Sequence, residues 1–163
     1  MTETIKQYLD EKKGVATVMA ARILNVPERE VVRALDEQSF EVSVSRFSEI
    51  MDDINEWGEI LMIVTNGSVI CEVSGELPKG TYSHGMFNLH SDTSPIGGHL
   101  MADKFDSIHF VSRPFMGKES LSVQVYDKEG NAAFKIHVGR DEKYELKHEQ
   151  VERFHALKKR MMQ

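Results

Sequence analysis

Cysteine is almost absent from this 163-residue chain: Cys71 is the only one, so no internal disulfide can staple the fold. It sits in an alternating apolar run, which predicts a buried structural thiol. Long hydrophobic runs are also lacking. Nothing approaches the roughly 18 apolar residues of a membrane span, and Met1-Thr2-Glu3-Thr4 has no basic-then-apolar leader pattern. Both absences predict a cytoplasmic protein without membrane insertion. An excess of basic charge is missing as well: 20 Lys+Arg stand against 26 Asp+Glu, a net charge of −6. That argues against attachment to nucleic acid, yet leaves room for a small anionic ligand held by a few placed cations. There is no repeat, no Gly-rich phosphate loop, no Gly-x-Ser-x-Gly elbow and no Cys/His zinc spacing, so no nucleophile–base pair is nominated.

What is present reads as one domain over residues 1–163, with a helical part over 1–57, a sheet over 59–138 and a terminal helix over 141–163. Ile5, Tyr8 and Leu9 mark a first short helix, and Val15 to Leu24 a second that stops at Asn25-Val26-Pro27. A third follows Pro27, burying Val31, Val32 and Leu35. This pair has the outline of a helix-turn-helix module. Its second helix carries Glu28, Glu30, Asp36 and Glu37 against two arginines, so a packing role is expected over DNA reading. A further helix runs from about Arg46 to Trp57. Then the period changes to two: Ile60 to Val64 and Ser68 to Val73 form a hairpin around Asn66-Gly67. Thr81 to Leu89, Ser107 to Val111, Leu121 to Tyr126 and Ala132 to Val138 read as further strands, and from Asp141 the pattern is helical. The class is α+β with a mainly antiparallel sheet.

If Thr81 to His90 is one extended strand, Tyr82, His84, Met86 and Asn88 share a face. A phenol, an imidazole and a thioether are donors of the kinds that ligate haem iron. More commonly, a strand histidine is solvent-facing or hydrogen-bonded and a methionine fills core. His99 follows Gly97-Gly98, where missing side chains let a flat ligand approach. His148 and His155 are expected to face solvent. Downstream, Gln124, Tyr126, Lys135 and His137 share one sheet face, with Arg113 following its strand. Such a face is usually solvated; alternatively, Arg113 or Lys135 pairs with ligand carboxylates.

Six segments in order carry a family resemblance: Glu56-Trp57-Gly58, Ser74-Gly75-Glu76-Leu77-Pro78, His84-Gly85-Met86-Phe87-Asn88-Leu89, Gly98-His99, Arg113-Pro114-Phe115-Met116-Gly117, and Phe134-Lys135-Ile136 with Gly139-Arg140-Asp141. Together they resemble the ChuX/HutX haem-utilisation family, whose fold matches one half of the larger HemS/ChuS haem-handling proteins. The resemblance implies a homodimeric cytosolic haem carrier rather than an enzyme, passing cargo to a haem-degrading or haem-using enzyme. It places His99 on the family's Gly-His motif as the candidate iron ligand, with Met86 and His84 as alternatives. Tyr82, Arg113, Phe115, Met116 and Lys135 are the further candidate haem contacts. Two departures stand out: some members carry a histidine where this chain has Thr65, and a tyrosine where it has Met86. The competing readings are a haem-degrading enzyme and a helix-turn-helix interaction module.

Overall fold

The alternation of apolar and polar residues resolves into one large sheet and one small one. A computed structural model describes residues 2–114 and 117–163. Helices α1 (Thr2–Glu11), α2 (Thr17–Leu24) and α3 (Glu28–Arg33) open the chain. The second ends at Asn25 in the left-handed conformation, the stop expected of Asn-Val-Pro. Strand β1 (Ser39–Ser43) follows, then α4 (Phe47–Ile54), β2 (Glu59–Thr65) and β3 (Ile70–Glu76). A small meander, β4 (Gly80–Ser83), β5 (Met86–Leu89) and β6 (Gly98–Leu100), precedes β7 (Phe105–Ser112), β8 (Leu121–Asp127), β9 (Ala132–His137) and α5 (His148–Met161). The large sheet is antiparallel with six strands in the order β1-β7-β8-β9-β2-β3, and β4-β5-β6 form the second.

Period-two burial explains both layers. Ile60, Met62, Ile108, Phe110, Leu121, Val123, Val125, Phe134 and Ile136 fall on one face of the large sheet and form the main core. The apolar stripes of α4 and α5 cover it, together with Phe87 and Leu89 of the small sheet. Phe47 sits at the centre, its ring 5.2 Å from Phe87 and 5.3 Å from Phe105. Such edge contacts add roughly 0.5–1.5 kcal/mol per pair beyond area burial.

The opposite face is polar, and over β7 and β8 it is shielded from solvent. Helix α3 covers its β7–β8 part, where Val32 and Leu35 pack on Val111 and Tyr126. Beneath lies a hydrogen-bonded polar layer. Tyr126 Oη donates to Gln124 Oε1 at 2.7 Å, Gln124 Nε2 donates to Ser122 Oγ at 3.0 Å, and His109 Nε2 lies 3.0 Å from Ser107 Oγ. The α3 arginines turn inward: Arg29 pairs with Asp106 at 2.7 Å and Arg33 with Glu41 at 2.9 Å. The helix pair therefore packs on the sheet, and those two cations are already used.

Four sequence expectations change. Strand β1 lies within the stretch 1–57 read as helical, because Phe40 and Val42 alternate with Glu41 beside β7. The terminal helix begins at His148 and not at Asp141, since Arg140 bridges back to Leu146 around a turn. The polar face of the later strands is covered over β7 and β8, where Gln124 and Tyr126 are buried, and is not a solvated outer face there. Finally, Cys71 is exposed and not buried. It lies opposite Val64 near the tip of the β2–β3 hairpin, beyond the reach of the core, and Val64 is exposed there too. His148 and His155 are exposed, as expected.

Candidate functional site

The segment Thr81 to His90 is a hairpin and not one strand. His84 (φ 57°) and Gly85 (φ 78°) both take left-handed conformations, the requirement of a tight two-residue turn. Reversal at that point rearranges the predicted donor face. Tyr82 opposes Phe87, and their rings are 5.0 Å apart on the core-facing side. Met86 and Asn88 stay together on the outer side. His84 occupies the exposed turn with Nδ1 2.8 Å from Ser83 Oγ.

The hairpin also brings His99 to that outer face. In the β5–β6 register Asn88 lies directly opposite His99, and His99 Nδ1 is 2.5 Å from Asn88 Oδ1. The amide's orientation is fixed by its nitrogen, which donates to the carbonyls of Thr81 (3.2 Å), Ser83 (3.1 Å) and Met86 (3.3 Å). Its oxygen must then face the imidazole as acceptor. His99 therefore carries its proton on Nδ1, and its Nε2 lone pair has no hydrogen-bond partner among the described residues; a metal-binding histidine is fixed by an acceptor on its other nitrogen in the same way.

His99 borders a cleft of about 440 Å³ between the β6 segment and the core-side face of β2, β3 and β9. Its walls are mainly apolar, from Met62, Val64, Val73, Ile96, Leu100 and Met101, with Lys104 contributing a cation and Cys71 a thiol. Apart from Cys71, singled out only as a buried thiol, these residues were not among the sequence candidates. Alternation in Ile60–Val64 was the available signal for Met62 and Val64, since both had to face the same way.

Arg113 and Lys135 do not join His99. They line a second, larger cavity of about 660 Å³ on the opposite face of the large sheet, beneath α2. There Lys135 Nζ is 2.6 Å from Glu28 Oε2, which also accepts from Thr17 Oγ1 at 2.7 Å. Arg113 donates to the Val15 carbonyl at 2.5 Å, and burial lowers its pKa. His137, in the same cavity, is held down to about 4 by burial and by the Lys135 and Arg140 charges. Phe115 and Met116, the remaining sequence candidates, lie outside the described residues.

A family model described as haem utilisation ChuX/HutX matches residues 40–157. The chain belongs to this family. The ChuX/HutX match begins at β1, so α1–α3 precede it. Over 164 residues the chain is 35% identical to the intracellular heme transport protein HutX of Vibrio cholerae serotype O1, covering 100% of this chain and 85% of HutX. The structure of the heme binding protein ChuX superposes with a TM-score of 0.89 at 34% identity, over 98% of this chain and 99% of ChuX. At 15% identity, the heme degrading enzyme ChuS of Escherichia coli O157:H7 shares the fold alone. Its TM-score is 0.75 over 96% of this chain and 47% of ChuS, the half-repeat relation expected from the sequence.

Proposed function

We propose that this ChuX/HutX-family chain is a cytosolic haem carrier that holds its cargo at the His99 cleft. The observation that carries the reading is the free Nε2 of His99, set by Asn88 at the border of an apolar cleft. A porphyrin is a broad apolar disc with carboxylates at one edge. Met62, Val64, Leu100 and Met101 supply apolar surface, Lys104 supplies a cation for a propionate, and His99 supplies one imidazole nitrogen to the iron. An exposed single ligand suits release better than two enclosed ones.

As a carrier the chain receives imported haem and passes it to a cytosolic haem-degrading enzyme, without itself degrading it. It works as a homodimer. The six-stranded sheet is open at β1 and β3, and Val69 and Ile70 beside the β3 edge are exposed, a liability that pairing removes. Light scattering at micromolar concentration is expected to give twice the chain mass; a monomer would remove the dimer.

Haemin titration tests the cargo. A saturable, shifted Soret band near one equivalent per chain is expected. His99→Ala should alter the ferric spectrum and speed haem transfer to an acceptor while the circular dichroism is unchanged. Wild-type spectrum and off-rate in His99→Ala would overturn the ligand assignment. Decay of the Soret band under reductant and oxygen, faster than for free haemin, would favour a degrading enzyme.

A further inference from the structure

We propose that the free edge of strand β3 is a docking site for a basic, extended segment of a partner protein, which adds to the large sheet as a further strand. The inference goes beyond haem carriage and beyond the homodimer. It concerns a second macromolecule, recognised by backbone hydrogen bonds and by charge.

Strand geometry supplies the template. β3 stands last in the order β1-β7-β8-β9-β2-β3, so one side of its backbone has no strand neighbour. Natural edges are blunted by proline, by lysine, by a bulge or by a covering segment. β3 contains neither proline nor lysine. Its register against β2 runs unbroken from Glu59↔Glu76 to Thr65↔Ile70, so it has no bulge. Cover is found at its far end, where Ser94 Oγ donates to the Glu76 carbonyl at 2.6 Å and Pro95 sits against Gly75. From Ile70 to Ser74 every residue except the half-buried Val73 is exposed. Val69 and Ile70, at the open end, are each 60% exposed, an invitation to a partner that a lone edge does not ordinarily extend.

Charge selects the occupant. Between Glu59 and Pro78 the chain has no Lys, Arg or His. Glu59, Glu72 and Glu76 are exposed and share one face of the β2–β3 hairpin, with Glu59 directly opposite Glu76. Like charges so placed repel each other. Among the described residues none of the three carboxylates has an ion-pair partner. Two neighbouring cations turn to the hairpin backbone instead: Arg22 donates to the Gly67 carbonyl at 3.1 Å and Lys147 to the Glu59 carbonyl at 3.2 Å. A second copy paired antiparallel along this edge would gather Glu72 and Glu76 of both chains on one seam, so the edge disfavours self-pairing. A basic strand reverses that sign. Running beside Ile70–Ser74, it sets an apolar side chain opposite Ile70 and a basic one opposite Glu72. A long basic side chain opposite Ser74 reaches Glu76 on the diagonal.

Fluorescence polarisation of the full-length protein with three labelled peptides of about ten residues tests this. The basic probe alternates lysine with valine and threonine. An acidic probe carries glutamate for lysine. A third keeps the lysines but has proline between them, which removes the N–H donors that strand addition needs. The basic probe should bind saturably near one equivalent per chain, and the other two at least about tenfold more weakly. Joint Glu72→Gln and Glu76→Gln exchange should weaken the basic probe at least about tenfold without lowering the thermal melt, because the Glu59–Glu76 repulsion goes too. Amide hydrogen exchange over Ile70–Ser74 should slow when the basic probe binds. No saturable binding, equal binding of the proline probe, wild-type affinity in the double variant, or unchanged exchange over Ile70–Ser74 would each overturn the proposal. Exchange already fully slowed there in the free protein would give the edge to a second copy and overturn it as well. Haem uptake at His99 is read separately by the Soret band, so the two readings fail independently.

Discussion

Asn88 shows how a single side chain sets the chemistry of another. Three carbonyls hold its amide nitrogen, so its oxygen has one orientation and the His99 tautomer follows. Asn88→Leu removes that acceptor and should speed haem loss about 10- to 100-fold, the usual consequence of losing the hydrogen-bond partner that orients a metal-binding histidine; stopped-flow transfer to an apo-globin measures it. His109 is a residue of another kind. It is fully buried on the polar face, and burial lowers its pKa to about 4. Its neutral form is the folded form, so below pH 6.5 the unfolded chain takes up the proton first. Stability from this group is complete above 6.5 and is lost as pH falls towards 4, a change of about 3 kcal/mol. Urea unfolding across that window should show His109→Gln with a shallower decline than wild type by about that amount.

At the scale of elements, the β4–β5 hairpin decides which donors meet. His84 lies in its turn at φ 57°, a left-handed backbone conformation. His84→Asn, which tolerates that conformation, should keep both the melting temperature and the haem spectrum. His84→Val should cost about 1–2 kcal/mol in thermal melts, because a β-branched residue is strained there. Gly80 is required in the same hairpin, since a Cβ there would overlap the Phe87 ring. This turn also marks the limit of what could be read in advance. Strands β2, β3, β7, β8 and β9 were legible from period-two alternation, and α1–α4 from apolar stripes and stop signals. His84-Gly85 was not, because histidine is an uncommon first residue for a turn usually written Asn-Gly. Strand β1 was hidden among helices by its brevity. His99 was singled out through the glycines before it and the family motif. The Asn88 contact was not, because it depends on a strand register that no local pattern encodes.

Across the whole molecule, the large sheet divides the His99 cleft from a helix-capped cavity, and polar ties help to fasten the cap. Arg29–Asp106 and Arg33–Glu41 sit at one side and Glu28–Lys135 beneath the centre. The last pair is the most enclosed: the Glu28 and Lys135 side chains are 7% and 15% exposed, 2.6 Å apart. Removing one partner of such a pair strands the other charge, at a cost of about 3–5 kcal/mol, whereas replacing both with apolar groups is often near neutral. Glu28→Leu and Lys135→Met should therefore each lower the urea-unfolding free energy by about 3 kcal/mol, and the double variant by about 1 kcal/mol or less. The coupling energy from that cycle is the quantity to measure. A value near zero would mean that the helices are held by Val32 and Leu35 on Val111 and Tyr126 and by the Arg29 and Arg33 ties, without help from this pair. A large one would make the ion pair the fastening that keeps α2 over the cavity.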